Sequence, residues 1–113
     1  MKTLQELKEK YDSYKTITSE EEALIAVQQN GCALRHVHNQ TEDICLLAVQ
    51  QDGGALQYVH NQTEAICLAA VQQYAYALRH VHNQTEAICL AAVQQDEDAL
   101  QYVHPSIFKS NIF

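Results

Sequence analysis

Cysteine and histidine are the residues of this 113-residue chain whose types and spacing could do chemistry. Cys45, Cys67 and Cys89 recur at one fixed interval, and Cys32 lies outside that register. Equivalent residues on stacked helices lie about 8–10 Å apart. A disulfide needs Cα atoms roughly 4.4–6.8 Å apart, and zinc holds each sulfur at about 2.3 Å. We therefore expect buried free thiols that serve as small hydrophobic side chains.

Two histidine pairs raise the question of metal binding: His36 with His38, and His80 with His82. Positions i and i+2 of a helix point to opposite sides, and the two pairs lie two repeats apart, roughly 20 Å at the usual helix spacing. We expect a solvated or partly packed row of histidines, with metal binding as the alternative. No metal site and no cofactor are predicted.

Catalysis is not expected. A catalytic cysteine would have to differ from its copies, whereas Cys45, Cys67 and Cys89 occupy equivalent positions. The chain has 3 Gly, too few for a known phosphate-binding loop. The triplet Asn-Gln-Thr at positions 39, 61 and 83 matches the glycosylation sequon, but helix capping explains it without a sugar. We predict no catalytic residues and a protein that is not an enzyme.

A tandem repeat must position all of these residues. A shift from Ala55 to Ala77 aligns two copies of ALQYVHNQTEAICLAAVQQ that differ only at Gln57/Arg79 and Tyr58/His80. Residues 33–51 match again, and a diverged copy begins at Ser19. Repeats of this length stack, because one unit cannot bury its apolar face alone. We expect about four stacked units, the last of which ends at Pro105.

Each unit is predicted to contain a longer and a shorter helix. The longer one, residues 63–73 in one copy, is rich in Ala, Leu, Glu and Gln and contains no Gly or Pro. Asn61 with Glu64 has the spacing of a capping box, and Thr63 is an alternative cap. The shorter piece, residues 55–59, would be marginal without the stack. The sequence therefore predicts an all-α fold.

The fold class that we predict is an α-solenoid of about four 22-residue helix-pair repeats. Gly31 and Gly53 are expected to close two long helices in the left-handed conformation. The apolar run of residues 66–71 leaves a β-solenoid as the alternative, since periodicity alone does not distinguish short buried helices from strands.

The chain is predicted to divide into an N-terminal capping helix (1–18), helical repeats (19–104) and a C-terminal cap or tail (105–113). Both ends carry apolar residues: Leu4, Leu7, Tyr11 and Tyr14 on one helical stripe, and Ile107, Phe108, Ile112 and Phe113 after the last repeat. The tail either folds over the last unit or contacts another copy of the chain, and we favour self-capping over a homodimer.

The repeated units resemble the short helical repeats of a bacterial and giant-virus repeat domain of unknown function. The resemblance rests on ALQYV, NQTE and ICLAAV in this order and spacing, and it covers residues from about 19 to 104. The chain has histidine at 38, 60, 82 and 104, where lysine is common in that family, and it lacks the turn glycine at Ala75 and Glu97. The resemblance implies a helical repeat fold and no particular activity.

Composition and charge exclude several classes of function. The hydrophobic fraction of 47% is sufficient for a folded core, and the net charge of -7 disfavours binding to nucleic acid or anionic membranes. No stretch approaches the roughly 18 apolar residues of a membrane span, and the first residues lead into charge rather than a signal-peptide core. We expect a soluble, cytoplasmic protein.

Positions that differ between the copies form the predicted partner-binding surface. Turns at one edge of a solenoid are free to change and commonly bind partners. The predicted partner-binding residues are Arg35, His36, Asp52, Gln57, Tyr58, Tyr74, Tyr76, Arg79, His80, Asp96, Glu97, Asp98 and Tyr102. The alternative is drift in exposed turns after recent duplication.

We therefore expect a non-enzymatic protein–protein interaction module. The alternative function is suggested by charge, because residues 19–104 hold 11 acidic residues against 2 arginines. A small acidic protein could mimic nucleic-acid phosphates and block the basic groove of a nucleic-acid-binding protein, as a phage or mobile-element anti-defence protein would.

Overall fold

The computed structural model describes residues 1–13 and 19–109. Within these ranges it contains α-helices and 3₁₀ helices (η) and no β-strand. Their bounds are α1 Leu4–Ser13, α2 Glu20–Gln29, η1 Gly31–His36, α3 Glu42–Gln51, η2 Gly53–Tyr58, α4 Glu64–Gln73, η3 Ala75–His80, α5 Glu86–Gln95, η4 Glu97–Tyr102 and α6 Ser106–Lys109. The predicted all-α solenoid is confirmed.

Each unit of the solenoid consists of one α-helix followed by one 3₁₀ helix. The first unit is α2 with η1, and the second, third and fourth are α3 with η2, α4 with η3 and α5 with η4. Each unit packs against the next through both of its helices. No helix among the described residues is long and apolar enough to cross a membrane.

The long helices are capped by threonine. The Thr63 hydroxyl accepts a hydrogen bond from the Ile66 backbone N–H at 3.2 Å, and α4 begins one residue after this cap. Thr41 and Thr85 cap α3 and α5 in the same way. The capping box predicted for Asn61 is therefore wrong, and the alternative cap is the one used. Threonine satisfies one of the N–H groups that the first turn leaves without an intrahelical partner.

The short helices are 3₁₀ helices of six residues rather than short α-helices. Three residues per turn place positions i, i+3 and i+6 on one face. Ala75, Leu78 and Val81 have this spacing, and all three are buried. The 3₁₀ geometry thus lets a short segment present one continuous apolar face to the long helices.

The core is shared between units. Each of the first three units buries one leucine of its 3₁₀ helix completely, namely Leu34, Leu56 and Leu78. Leu100 is their equivalent in the fourth unit, and it is 45% exposed because no further described unit covers it. Complete burial of such a side chain contributes about 1.5–3 kcal/mol. A unit therefore obtains much of its burial from its neighbour.

Gly31 and Gly53 permit close packing and are not left-handed caps. No glycine among the described residues has a positive φ, so this prediction is wrong. A Cβ on Gly53 would lie 2.5 Å from the Ala70 carbonyl oxygen in the next unit, and Gly31 faces Ala48 in the same way. Ala75 carries a Cβ at the equivalent place between the third and fourth units. Glu97 is exposed, since no described unit follows it.

Gln40, Gln62 and Gln84 join each unit to the next through what we call the glutamine clasp. The side-chain amide of Gln62 donates to the His80 carbonyl oxygen at 2.8 Å, and its oxygen accepts from the His82 N–H at 2.9 Å. Gln40 and Gln84 make the same pair of bonds one unit earlier and one unit later. Because each amide bonds two backbone groups of the following unit, the clasp fixes the register of stacking.

The ends of the solenoid are only partly described. In α1, the side chains of Leu4 and Leu7 are 83% and 50% exposed. Tyr11 and Tyr14 lie outside the described side chains, so the capping role of this helix stays a prediction. In α6, Ile107 packs against the core while Phe108 is 60% exposed. The remaining predicted cap residues, Ile112 and Phe113, lie outside the described residues.

The clasp predicts a large cost for removing one glutamine. Gln62→Ala should lower the free energy of unfolding by about 2–4 kcal/mol, because two backbone groups lose their partners in a partly buried site. Gln50→Ala removes an exposed amide of the neighbouring long helix and should change stability by less than about 0.5 kcal/mol. Urea unfolding followed by circular dichroism measures both. Equal stability of the two variants would contradict the clasp.

Candidate functional site

The solenoid has two edges that differ in chemistry. We call one the variable edge; it consists of residues 30–32, 52–54, 74–76 and 96–98, where each long helix passes into its 3₁₀ helix. The other, the cleft edge, consists of residues 37–41, 59–63 and 81–85, where the chain leaves the 3₁₀ helix for the next long helix. Long helices of ten residues measure about 15 Å, and this length separates the two edges.

Residues of the variable edge cap the 3₁₀ helices. Asp52 accepts from the Gly54 N–H at 2.9 Å, and Asp96 accepts from the Asp98 N–H at 2.9 Å. Tyr74 occupies the same position in the third unit and makes no side-chain cap bond. Two predicted partner-binding residues, Asp52 and Asp96, thus have a structural task, whereas Tyr74 has no such task at this position.

Three tyrosines of the variable edge and its adjacent 3₁₀ helix form a cluster. The ring centroids of Tyr74 and Tyr76 lie 5.7 Å apart, and those of Tyr76 and Tyr102 lie 5.5 Å apart in an edge-on arrangement. Tyr76 also hydrogen-bonds the Asp96 side chain. Partial desolvation, and then the Asp96 carboxylate, raises the pKa of the Tyr76 hydroxyl. We call Tyr74, Tyr76, Tyr102 and Asp96 the tyrosine cluster.

The predicted arginine and histidine positions form two separate pairs. Arg35 Nε donates to His36 Nε2 at 3.0 Å, and Arg79 Nε donates to His80 Nε2 at 3.3 Å. Desolvation, and then the charge of Arg79, lowers the pKa of His80. This neutral imidazole can therefore accept the hydrogen bond from the guanidinium group.

The other predicted residues lie away from the tyrosine cluster or beside it. Gln57 is exposed and bonds the Gly54 carbonyl oxygen at 3.1 Å, and Tyr58 is half-buried against the core. Glu97 and Asp98 are exposed beside the tyrosine cluster. The structure therefore brings together four of the predicted residues, Tyr74, Tyr76, Asp96 and Tyr102, while Arg79 and His80 of the third unit form a separate pair.

Three clefts on the cleft edge were missed by sequence analysis. Their volumes are about 470, 320 and 280 Å³, and each lies between two successive units. His60 and Asn61 line both the first and the second cleft. The capping box assigns the asparagine to the start of a helix and therefore does not predict that its side chain is exposed in a cleft. An available signal was that the His-Asn dipeptide is identical at 38–39, 60–61 and 82–83.

Buried thiols line the first two of these clefts, namely Cys45 and Cys67. Cys45, Cys67 and Cys89 are buried and unpaired, which confirms the prediction, and Cys32 is half-buried. The Cys45 thiol lies 3.5 Å from the side-chain oxygen of Gln40 and donates to it. Burial, and then the charge of Glu42, raises the pKa of Cys45 to about 11. Within residues 1–13 and 19–109, no three His, Cys, Asp or Glu side chains are grouped so that they could hold a metal ion.

A comparison with known families supports the repeat architecture. Residues 20–63 and 41–86 each match a family described as Domain of unknown function (DUF4116). The chain belongs to this family. The two overlapping matches show a DUF4116 domain made of tandem units, in agreement with the resemblance in the sequence. No curated protein and no solved structure matches the chain.

The thiol environments predict selective reactivity. At pH 8, Cys32 should react first with Ellman's reagent, because it is the one described cysteine that is not buried. A pKa of about 11 instead of 9.0 leaves Cys45 about a hundredfold less thiolate. Cys32→Ser should remove the first phase, and unfolding in guanidinium should make all thiols react alike. Native-state labelling of Cys45, Cys67 and Cys89 at the rate of Cys32 would contradict the described burial.

Proposed function

We propose that this DUF4116 protein is a non-enzymatic protein-interaction module whose variable edge binds a protein partner at the tyrosine cluster. The observation that carries the proposal is the three-ring arrangement of Tyr74, Tyr76 and Tyr102, in which Tyr74 is 40% exposed. Tyrosine provides a large contact area at low cost in side-chain entropy, and it is enriched in interface hot spots.

The tyrosine cluster supports a specific binding surface because the equivalent positions one unit earlier hold other residue types. Asp52, Gly54 and His80 stand where the cluster has Tyr74, Tyr76 and Tyr102, although the long helices around them are nearly identical. Three differences in a fixed scaffold thus create an aromatic surface. The Tyr74 side chain makes no capping hydrogen bond, so its exposed ring can contact a partner.

The acidic residues around the tyrosine cluster indicate the charge of the partner. Asp96, Glu97 and Asp98 are exposed next to the rings. A partner with an apolar or aromatic centre and basic residues around it would complement this surface. Such rim charges increase the association rate and the salt dependence more than they increase affinity.

A matched set of tyrosine variants tests the proposal. Tyr74→Ala combined with Tyr76→Ala should weaken partner binding about tenfold or more, whereas Gln50→Ala, an exposed position outside the variable edge, should leave it unchanged. Proteins enriched by the wild type and by Gln50→Ala, but lost with the double variant, are the candidate partners. The purified candidate is then titrated against all three proteins by calorimetry, after circular dichroism has verified that each is folded.

The salt dependence of the same titration distinguishes apolar contacts from electrostatic contacts. Binding through the rings should persist from about 0.05 to 0.5 M salt, because apolar contacts are not screened. Binding that falls steeply with salt and survives loss of both tyrosines would instead support an acidic mimic of nucleic acid. A partner that binds the double variant and the wild type equally well would overturn the proposed function.

The homodimer through the C-terminal tail stays a prediction. The end of the fourth unit carries an apolar cleft lined by Leu90, Val93, Leu100 and Phe108. In the third unit the equivalent Val71 and Leu78 are fully buried by the fourth unit. The predicted self-cap or a second copy would cover this end in the same manner.

A further inference from the structure

The first and the fourth unit differ in the chemistry of their outward faces. We call the face of a unit toward the preceding unit its front, and the opposite face its back. Ile66 and Ile88 are buried, and each lines a cleft together with the cysteine of the preceding unit, so both lie at the front. The first unit has Glu22 at this position, and its side chain is exposed. The front of the first unit therefore presents a carboxylate where later units present isoleucine.

The back of the fourth unit presents an apolar surface. Leu90, Leu100 and Phe108 line one cleft of about 150 Å³, and their side chains are between 45% and 60% exposed. In the third unit, the equivalent Leu68 is partly buried and Leu78 is fully buried, because the fourth unit covers them. Exposed apolar side chains that share one surface are typical of an interaction site.

Acidic residues at this back face determine what can cover it. Glu97 stands at the position of Gly31, Gly53 and Ala75, where the backbone of a following unit makes a close approach. Glutamate is too long for that approach, so a further unit cannot stack there as the others do. A symmetric contact of two fourth units would bring the Glu86 and Glu97 carboxylates of both copies together, and like charges repel. The fitting occupant therefore has apolar and basic side chains.

Helix α1 has this chemistry. It is 10 residues long, as are α2, α3, α4 and α5. The side chains of Leu4 and Leu7 are exposed, and their spacing places them on one stripe. Lys8 follows Leu4 by one helical turn and borders the same stripe. Residues 1–18 hold 4 lysines against 3 acidic residues, whereas residues 19–104 hold 11 acidic residues against 2 arginines.

We infer that the chain forms a dimer in which α1 of each copy packs on the back of the fourth unit of the other copy. The leucine stripe of α1 covers the apolar cleft, and the lysines of residues 1–18 offset the charge of Glu86 and Glu97. In two antiparallel copies, each α1 lies beside the fourth unit of the other, so the two contacts close. We call this arrangement the helix exchange.

The helix exchange occurs between copies because α1 cannot reach the fourth unit of its own chain. Helix α1 ends at Ser13 and α2 begins at Glu20. The chain between these two residues spans at most about 25 Å. A helix on the back of the fourth unit lies four unit spacings from α2, about 32–40 Å at the usual helix spacing. The front of its own first unit, which α1 can reach, presents Glu22 instead of an apolar side chain.

Sedimentation velocity of the full chain tests the helix exchange. Wild type should pass from monomer to dimer between about 1 and 500 μM. Two variants should stay monomeric: the helix variant, Leu4→Asp with Leu7→Asp, and the end variant, Leu90→Asp with Leu100→Asp. An equimolar mixture of the two variants should form dimers again at about 500 μM, because one copy keeps its helix and the other keeps its apolar end.

Matched variants keep the result interpretable. Ile25 is apolar, 58% exposed and outside both proposed contact surfaces, so Ile25→Asp should dimerise like wild type. Glu86→Gln with Glu97→Gln should reduce the salt dependence of dimerisation. The Tyr74→Ala, Tyr76→Ala protein should dimerise normally, so the helix exchange and the proposed function of the variable edge fail separately. Circular dichroism verifies that each variant is folded.

Three outcomes would overturn the inference. The first is a wild-type chain that is still monomeric at about 500 μM. The second is a helix variant that dimerises as well as wild type, which would indicate contact through the fourth units alone. The third is a mixture of helix and end variants that stays monomeric. If the end variant does not fold, the single change Phe108→Asp at the same cleft should still weaken dimerisation severalfold.

Discussion

A glutamine that bonds the backbone of the following unit holds each junction of the solenoid together. Gln40, Gln62 and Gln84 lie 2.8 Å from the carbonyl oxygens of Tyr58, His80 and Tyr102. The same amides accept from the N–H two residues further on. Because the glutamines bond backbone groups of the following unit, the register of stacking does not depend on which side chains occupy the 3₁₀ helix. The outer positions of that helix can therefore change without loss of the stack.

This constraint explains why one scaffold carries two edges of different character. On the variable edge, Asp52 and Tyr74 occupy one structural position, and the fold tolerates both because an aspartate cap on a 3₁₀ helix is dispensable. On the cleft edge, Gln62 and Thr63 are both committed to the fold. Asn61, which precedes both of them in the sequence, is exposed and lines the first and second clefts.

The repeat, the helix pairs and the buried cysteines could be predicted from the sequence, because each depends on apolar periodicity that is visible in one unit. The cap could not be assigned, since Asn61 and Thr63 both fit the pattern and the choice depends on where Gln62 must point. The role of Gly53 depends on the approach of Ala70 from the next unit. The contact of Tyr76 with Tyr102 likewise depends on stacking register, which no local pattern contains.

Amide hydrogen exchange measured by NMR tests the glutamine clasp most directly. His60, His82 and His104 have exposed side chains, yet their backbone N–H groups donate to the clasp glutamines. The account predicts that these three amides exchange slowly, at rates near those of the long helices. The adjacent Asn61 and Asn83 amides should exchange as fast as an open loop. Fast exchange at all three histidines would contradict the claim that glutamine joins the units.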